Sequence, residues 1–390
     1  MHRSIQQSLS VSFDFPVVFT RDVFSAANTS LVDVLTRAEP DRPQRCLLIV
    51  DAALAMAQPH LVDHAASYFE LHKARLSLVA PPLTVVGGET IKNNLLSVAD
   101  LVLTLTRHNL DRHAHVIVAG GGAILDAVGL AAALVHRGLR LTRLPSTVLA
   151  QNDAGVGVKN AVNLNGVKNL IGTFAPPFAV VNDLNFLQSL PDREWTDGVA
   201  EAFKVAMIKD AAFFRELCRD AKALRQRDEA AMERLVLRCA ELHLEHIRTG
   251  GDPFELGHAR PLDFGHWAAH KLESLSDHTI SHGQAVAIGI ALDSLYAVRQ
   301  MWLYDADYTS LRTGLRDAGF TLWHDCLAAR APDGKLQILK GLEEFREHLG
   351  GILCITMPRG IGSRFEIHEM DEATIADSIA DLRRLHEEGR

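Results

Sequence analysis

Apolar and polar positions in the first half of the chain fall into short aliphatic runs separated by helix-like stretches. Arg45-Cys-Leu-Leu-Ile-Val50, Leu76-Ser-Leu-Val-Ala80, Leu83-Thr-Val-Val86 and Ala114-His-Val-Ile-Val-Ala119 have the length of strands and little polar interruption, the pattern of strands covered on both faces. Helical segments between them imply βαβ units and a parallel sheet. After Glu194 the pattern changes. To about Arg248, as in Asp210-Ala-Ala-Phe-Phe-Arg-Glu-Leu-Cys-Arg-Asp-Ala-Lys-Ala-Leu, apolar residues recur at three- and four-residue spacing, with few glycines and many alanines. That periodicity predicts amphipathic helices packed on one another. A boundary is expected near Leu190-Pro191, giving an α/β nucleotide-binding domain over 1–190 and a mainly helical domain over 191–390.

Composition narrows the class. The 390 residues suffice for two domains with their own cores. A formal charge of -8 argues against a general nucleic-acid binder, since nothing would neutralise a run of phosphates. The five cysteines are odd in number and scattered, without a C-x-x-C pair, which suits reduced thiols in a cytoplasmic protein. No apolar signal-peptide core opens the chain and no uncharged run approaches the roughly 18 residues of a membrane span, so a cytoplasmic enzyme is expected.

Two segments carry chemistry. The strand ending at Ala119 runs into Gly120-Gly121-Gly122 and then into the helix-like Ala123-Ile-Leu-Asp126. A glycine turn of this kind lets backbone amides approach a pyrophosphate at a helix N-terminus, although the spacing is not G-x-G-x-x-G and such turns are often structural. Farther on, Gly198-Val-Ala-Glu201-Ala-Phe-Lys204, Asp263-Phe-Gly-His266 and Ser281-His282-Gly offer one carboxylate and two imidazoles framed by small residues. Catalytic zinc takes three such ligands and leaves a position for substrate. Two readings compete here. Glu201 and Lys204 could be a surface ion pair, but their apolar neighbours predict a buried helix, where a glutamate needs a cation. His266 and His270, four residues apart, could instead share one metal from a single helix turn.

Gly120-Gly-Gly-Ala-Ile-Leu-Asp126, Leu144-Pro-Ser-Thr147-Val-Leu-Ala-Gln-Asn-Asp153, Gly157-Val-Lys159, Lys168-Asn169, Leu190-Pro-x-Arg193-Glu194, Ala200-Glu201-x-x-Lys204 and His282-Gly-x-Ala-Val-Ala-Ile-Gly289 together resemble the sugar phosphate cyclase superfamily, which includes 3-dehydroquinate synthase. The resemblance spans roughly residues 45 to 365. Asp153-Ala-Gly-Val and Glu344-Phe-Arg-Glu-His-Leu-Gly-Gly351 are more similar to its C7-cyclitol (valiolone-type) synthases.

The resemblance implies a Rossmann-like NAD-binding domain, a helical metal-binding domain, an active site in the cleft between them, and a homodimer. It assigns Zn2+ or Co2+ to Glu201, His266 and His282, and leaves His270 to orient substrate or relay protons. It places Asp153, Lys159, Lys204, Lys168, Asn169, His243, Arg260 and Asp263 around the reacting substrate, with Arg137 reaching the substrate phosphate from the neighbouring subunit. NAD contacts fall to Asp51, Glu89, Lys92, Gly121, Gly122, Asp126, Ser146, Thr147, Ser189, Leu190 and Glu194. An acidic Asp51 at a strand end suits ribose hydroxyls and disfavours the extra phosphate of NADP.

The activity so implied is that of a carbon–oxygen lyase: transient oxidation of a ring hydroxyl by NAD, phosphate elimination, reduction, and aldol closure to a carbocycle. Three departures from the dehydroquinate synthase pattern bear on substrate. His243 stands where that family has a lysine, Asp263 where it has an asparagine, and Phe345-Arg346-Glu347-His348 replaces an Asp-Lys-Lys stretch. These changes remove positive charge where a substrate carboxylate would lie. They point to sedoheptulose 7-phosphate and to 2-epi-valiolone or 2-epi-5-epi-valiolone as product. Retention of His270 favours the 2-epi-valiolone type, and Arg260 keeps 3-dehydroquinate synthase as the alternative. A metal-dependent NAD alcohol dehydrogenase and a non-catalytic scaffold are readings from other classes.

Overall fold

A computed structural model describes residues 3–165, 167–257, 260–348 and 350–389. Leu349 and the side chain of His348, both in the Glu344–Gly351 motif, lie outside the described residues. The chain forms two compact units that interleave along the sequence. One comprises Met1–Ala119, Ala123–Leu144 and Val158–Asn182; the other comprises Gly120–Gly122, Pro145–Gly157 and Asp183–Arg390.

The first unit is built on a seven-stranded sheet of β1 (Val17–Thr20), β2 (Gln44–Asp51), β3 (Leu76–Leu78), β4 (Leu83–Val85), β5 (His115–Gly120), β6 (Arg140–Pro145) and β9 (Ala179–Asp183). A separate antiparallel hairpin pairs β7 (Lys159–Leu164) with β8 (Val167–Phe174). The sheet order is β1-β9-β6-β5-β2-β3, with β4 also on β2. β2 is parallel to β3, β4 and β5, and β6 is parallel to β9. The four apolar runs read from sequence are β2, β3, β4 and β5. Their aliphatic side chains from Cys46 to Val50 and from Val116 to Ala119 are fully buried, as continuous runs of a covered parallel strand require. Helices α1 (Ser30–Thr36), α2 (Ala52–Ala57), α3 (Leu61–Leu71), α4 (Glu89–Lys92), α5 (Leu95–Arg107) and α6 (Gly122–Leu134) connect these strands.

The connections out of β2 and out of β5 run in opposite directions along the sheet, so the order reverses between these neighbours. Open parallel sheets bind ligands at the carboxyl ends of the strands beside such a reversal. Asp51 is the last residue of β2, and β5 ends at Gly120.

The second unit is helical: α7 (Asp192–Lys209), α8 (Ala211–Arg225), α9 (Glu229–Thr249), α10 (His266–Leu275), α11 (His282–Arg299), α12 (Asp305–Asp317), α13 (Lys340–His348) and α14 (Glu372–Glu387), with a small hairpin of β10 (Ile355–Pro358) and β11 (Arg364–Ile367). Helix starts are set by capping side chains. Asp210 accepts from the amides of Ala212 and Phe213, Asp228 from Ala231, and Ser281 from Gln284, each satisfying a donor that the first turn leaves open. Helix α11 is apolar almost throughout, from Ala285 to Ala297, and so forms the centre of the bundle. No disulfide joins the five cysteines. Among the described residues, no helix is long and apolar enough to cross a membrane.

Candidate functional site

In the helical unit, α7 carries Glu201 and Lys204 one turn apart, and its residues from Gly198 to Ile208 are buried. Glu201 is 0% and Lys204 2% exposed, which removes the reading of a surface pair. Glu201 Oε2 lies 2.5 Å from Lys204 Nζ, while Oε1 faces two imidazoles, at 3.4 Å from His266 Nε2 and 3.2 Å from His282 Nε2. His266 and His282 are the first residues of α10 and α11. Each imidazole that meets the buried carboxylate is thus carried by the first residue of a helix.

The other nitrogen of each ring has its own acceptor. His266 Nδ1 is 3.2 Å from the Phe264 carbonyl, and His282 Nδ1 is 3.4 Å from Glu273 Oε2. An Nδ1–H held this way leaves the Nε2 lone pair for a cation. Ligand atoms about 2.05 Å from a tetrahedral zinc stand about 3.3 Å from each other, and the two Glu201–imidazole separations bracket that value. The donor set fits a divalent metal of the zinc type. The charges agree. Burial alone would keep the His282 ring neutral, yet Glu201 and Glu273 outweigh it and push the ring up to about 10, so the two carboxylates favour positive charge at this point. Burial also opposes ionisation of Glu201, but Lys204, His266 and His282 hold it well below the usual carboxylate range.

Among the described residues, the imidazole nitrogens gathered at Glu201 are those of His266 and His282. His270, whose ring is 5.3 Å from that of His266 and 6.2 Å from that of His282, groups instead with Glu273 and His282, a second set of possible metal-binding atoms. One helix turn thus does not supply both imidazoles to Glu201; the second comes from another helix.

Asp153 lies in a π-helical turn, Ala150–Ala154, a local widening often found at functional sites. Asn152 in that turn donates to the Gly198 carbonyl at 2.8 Å, fixing the turn against α7. Asp153 Oδ1 is 2.8 Å from His243 Nδ1 on α9. Burial works against the Asp153 carboxylate, and Lys204 and His243 together hold it below its ordinary range. Lys204 in turn stays charged despite burial because Glu201, Asp153 and Asp263 surround it. Arg260 is tied elsewhere, to the Glu255 carboxylate at 3.0 Å and to the Gly257 carbonyl at 2.7 Å.

In the sheet unit, Asp51 caps α2 by accepting from the Ala53 amide at 2.9 Å. A Cβ at Gly87 would fall 2.2 Å from Asp51 Oδ2, so a side chain there would displace the Asp51 carboxylate. Burial pushes the Asp51 carboxyl up, against hydrogen bonds from the backbone at Ala53 and Gly87. Lys92 is buried between Asp126 Oδ2 at 2.6 Å and Asn169 Oδ1 at 2.7 Å, and Glu89 accepts from Asn163 at 3.3 Å. Lys159 and Arg137 are exposed and Lys168 is half-buried. His136 and Arg137 have φ of 53° and 63°, consecutive left-handed conformations that non-glycine residues seldom adopt.

The remaining cofactor candidates belong to the helical unit. A Cβ at Gly121 would lie 3.3 Å from Thr147 Cγ2, and one at Gly122 would lie 3.5 Å from Ala154 Cβ. The Ser146 amide donates to the Gly120 carbonyl at 2.9 Å, and the Ala150 amide to Thr147 Oγ1 at 3.1 Å. Ser189 Oγ donates to the Phe186 carbonyl, the Leu190 carbonyl accepts from Arg227, and Glu194 is exposed in the first turn of α7.

Sequence reasoning missed Glu273, Asp293, Asn163 and Asp197. Asp197 accepts from Ser281, the cap of α11, at 2.5 Å and so ties the start of that helix to α7. Asp293 had a legible signal: it is the one acidic residue in the apolar run of α11, where an ionisable group must find partners.

Residues 82–197 match the model of the 3-dehydroquinate synthase N-terminal family and residues 198–340 that of the C-terminal family. A 3-dehydroquinate synthase of Xanthomonas campestris pv. campestris (strain 8004) is 32% identical over 364 residues, covering 92% of this chain and 95% of that protein. A 2-epi-5-epi-valiolone synthase of Streptomyces glaucescens is 33% identical over 310 residues, covering 79% and 77%. The solved structure of a 2-epi-5-epi-valiolone synthase from Streptomyces hygroscopicus subsp. jinggangensis 5008, with NAD+ and Zn2+ bound, superposes with a TM-score of 0.85 at 26% identity over 97% of this chain and 99% of that one. A glycerol dehydrogenase from Schizosaccharomyces pombe, 14% identical with a TM-score of 0.61 over 97% and 92%, shares the fold. With both halves of the family matched and the Glu201, His266 and His282 cluster assembled, the chain belongs to the 3-dehydroquinate synthase-like family of sugar phosphate cyclases.

Proposed function

We propose that this protein converts sedoheptulose 7-phosphate into a C7 cyclitol, 2-epi-valiolone or 2-epi-5-epi-valiolone, with loss of phosphate. The observation that carries the choice of substrate is the charge around Lys204. One buried ammonium, Lys204, lies among three carboxylates, Glu201, Asp153 and Asp263, and an imidazole, His243, stands beside Asp153 where the dehydroquinate synthase pattern has a lysine. Arg260 is engaged by Glu255. With a divalent cation taken up at Glu201, Lys204 is still shared with Asp153 and Asp263, which weakens its hold on a substrate carboxylate, whereas a hydroxylated, uncharged carbon finds acceptors there. A 3-dehydroquinate synthase and a 2-epi-5-epi-valiolone synthase at 32% and 33% identity leave the choice to this local chemistry.

The proposal takes NAD as cofactor of the sheet unit and Zn2+ or Co2+ as cofactor of the helical unit, held by Glu201, His266 and His282. When bound, NAD removes and returns a hydride and the divalent cation polarises the oxygen on the reacting carbon. The chain supplies the rest. Asp51 accepts from ribose hydroxyls, Lys92 and Asp126 hold the nucleotide-side loop, and Glu89, Gly121, Gly122, Ser146, Thr147, Ser189, Leu190 and Glu194 complete the cofactor contacts. Lys204 presents a fixed positive charge to substrate oxygens. The Asp153–His243 pair can accept and return a proton at the His243 ring, and Lys159, Lys168, Asn169, His270 and Asp263 orient the sugar. Arg137 binds the phosphate of a neighbouring subunit's substrate, so the working form is a homodimer, placed in the cytoplasm.

The test is phosphate release with NMR of the product, using metal- and NAD-loaded protein with sedoheptulose 7-phosphate or with the seven-carbon keto acid phosphate of dehydroquinate synthase. Turnover of the sugar phosphate is expected, and coupling constants then name the epimer. Turnover of the acid alone makes the protein a 3-dehydroquinate synthase. Net NADH from a simple alcohol, without phosphate release, would make it a dehydrogenase.

A further inference from the structure

Asp293 stands on α11, eleven residues beyond His282, and is fully buried. Both of its oxygens are used. Oδ2 accepts from the Gly265 amide at 3.1 Å and Oδ1 from the Trp267 indole at 2.9 Å. The residue between these two donors is His266. Gly265 has φ of 78° and precedes the first turn of α10, so the anchored amide belongs to the turn that aims the His266 ring. Two donors converging on one buried point require a side chain with two acceptors and no donor, and a carboxylate meets that requirement. An amide of the same shape would turn its own NH2 toward one of them.

We infer that Asp293 is a positioning residue for the metal ligand His266, locking the residues on either side of it so that Nε2 faces Glu201. Helix α11 then sets both imidazoles: His282 as its own first residue, and His266 through Asp293. The inference rests on the metal reading of Glu201, His266 and His282, and it concerns how firmly that site holds a cation.

The experiment measures Zn2+ and Co2+ affinity by chelator competition, with the visible absorption of bound Co2+, in wild type, Asp293→Asn, Trp267→Phe and His266→Ala. Wild type is expected to take up one equivalent and His266→Ala to lose it. Asp293→Asn should bind about ten- to hundredfold more weakly, with altered Co2+ absorption that shows a displaced ligand rather than a loosened fold. Trp267→Phe keeps the ring in place and removes one of the two donors, so it should weaken binding by a smaller factor; it decides the matter if Asp293→Asn does not fold. Unchanged affinity and spectrum in a folded Asp293→Asn, or in Trp267→Phe when that variant must decide, overturns the inference while leaving the metal site standing. Failure of wild type to bind either ion overturns the metal reading and this inference with it.

Discussion

His115 illustrates how a single residue can be visible in sequence and opaque in meaning. It opens β5 beside Phe178, with ring centroids 4.8 Å apart, and neither ring nitrogen finds a hydrogen-bond partner among the described residues. Burial, aided by Arg140, pushes its imidazole down from 6.5 to about 3. Below pH 6.5 the unfolded chain takes up a proton that the folded chain refuses, so stability falls as pH drops through that window, by about 1.4 kcal/mol per pH unit. Denaturant unfolding from pH 7 to 4 should show a slope steeper in wild type than in His115→Leu by about 1.4 kcal/mol per pH unit; equal slopes would contradict it. The sequence placed His115 in a buried strand and could not say that its nitrogens go unpaired. The same limit applied to Glu201 and Lys204. Their apolar neighbours announced burial, but the choice between an ordinary ion pair and a ligand waited on which imidazoles met Oε1.

At the scale of elements, the approach of α10 to α11 matters most. A Cβ at Gly289 would lie 2.1 Å from the Gly265 carbonyl oxygen, and one at Gly265 would lie 2.7 Å from the Ile290 amide nitrogen. These two glycines let the helices come close enough for His266 and His282 to face the same carboxylate. Gly289→Ala should therefore cost about 1–3 kcal/mol of stability. Thermal or denaturant melting would detect this, and a variant as stable as wild type would show that the crossing yields freely. Strands β2 to β5 were readable because polar residues interrupt their apolar runs little. β6 was not, since Arg140 and Arg143 interrupt its apolar pattern; the buried Arg143 donates to Asn160 Oδ1 at 2.7 Å. β7 and β8 are rich in asparagine, and β8 exposes much of its length, which hides the strand signal. The π-helical turn at Ala150–Ala154 has no local signature, because its hydrogen bonding is set by packing.

For the whole molecule, the two compact units do not divide the chain at one point: Gly120–Gly122 and Pro145–Gly157 pack with the helices although both lie within the sheet-forming half of the sequence. The proposed dimer adds a level above this. Arg137→Ala and Glu201→Ala homodimers should each be nearly inactive. A mixture that exchanges subunits should regain roughly a quarter of wild-type activity, because half the dimers would pair an intact Arg137 with an intact Glu201 in one of two sites. No recovery after verified exchange would put Arg137 in its own subunit's site or outside the chemistry. The sequence by itself determined the parallel α/β half and the helical half, since periodicity is a local property of the chain, and its motifs carried the short list of ionisable residues only through the family resemblance. Only the tertiary structure decided that His270 groups with Glu273 and His282, that Arg260 is held by Glu255, and that Asp293 accepts from the residues on both sides of His266. Those outcomes depend on which helices cross and how closely, a relation between segments that no local pattern encodes.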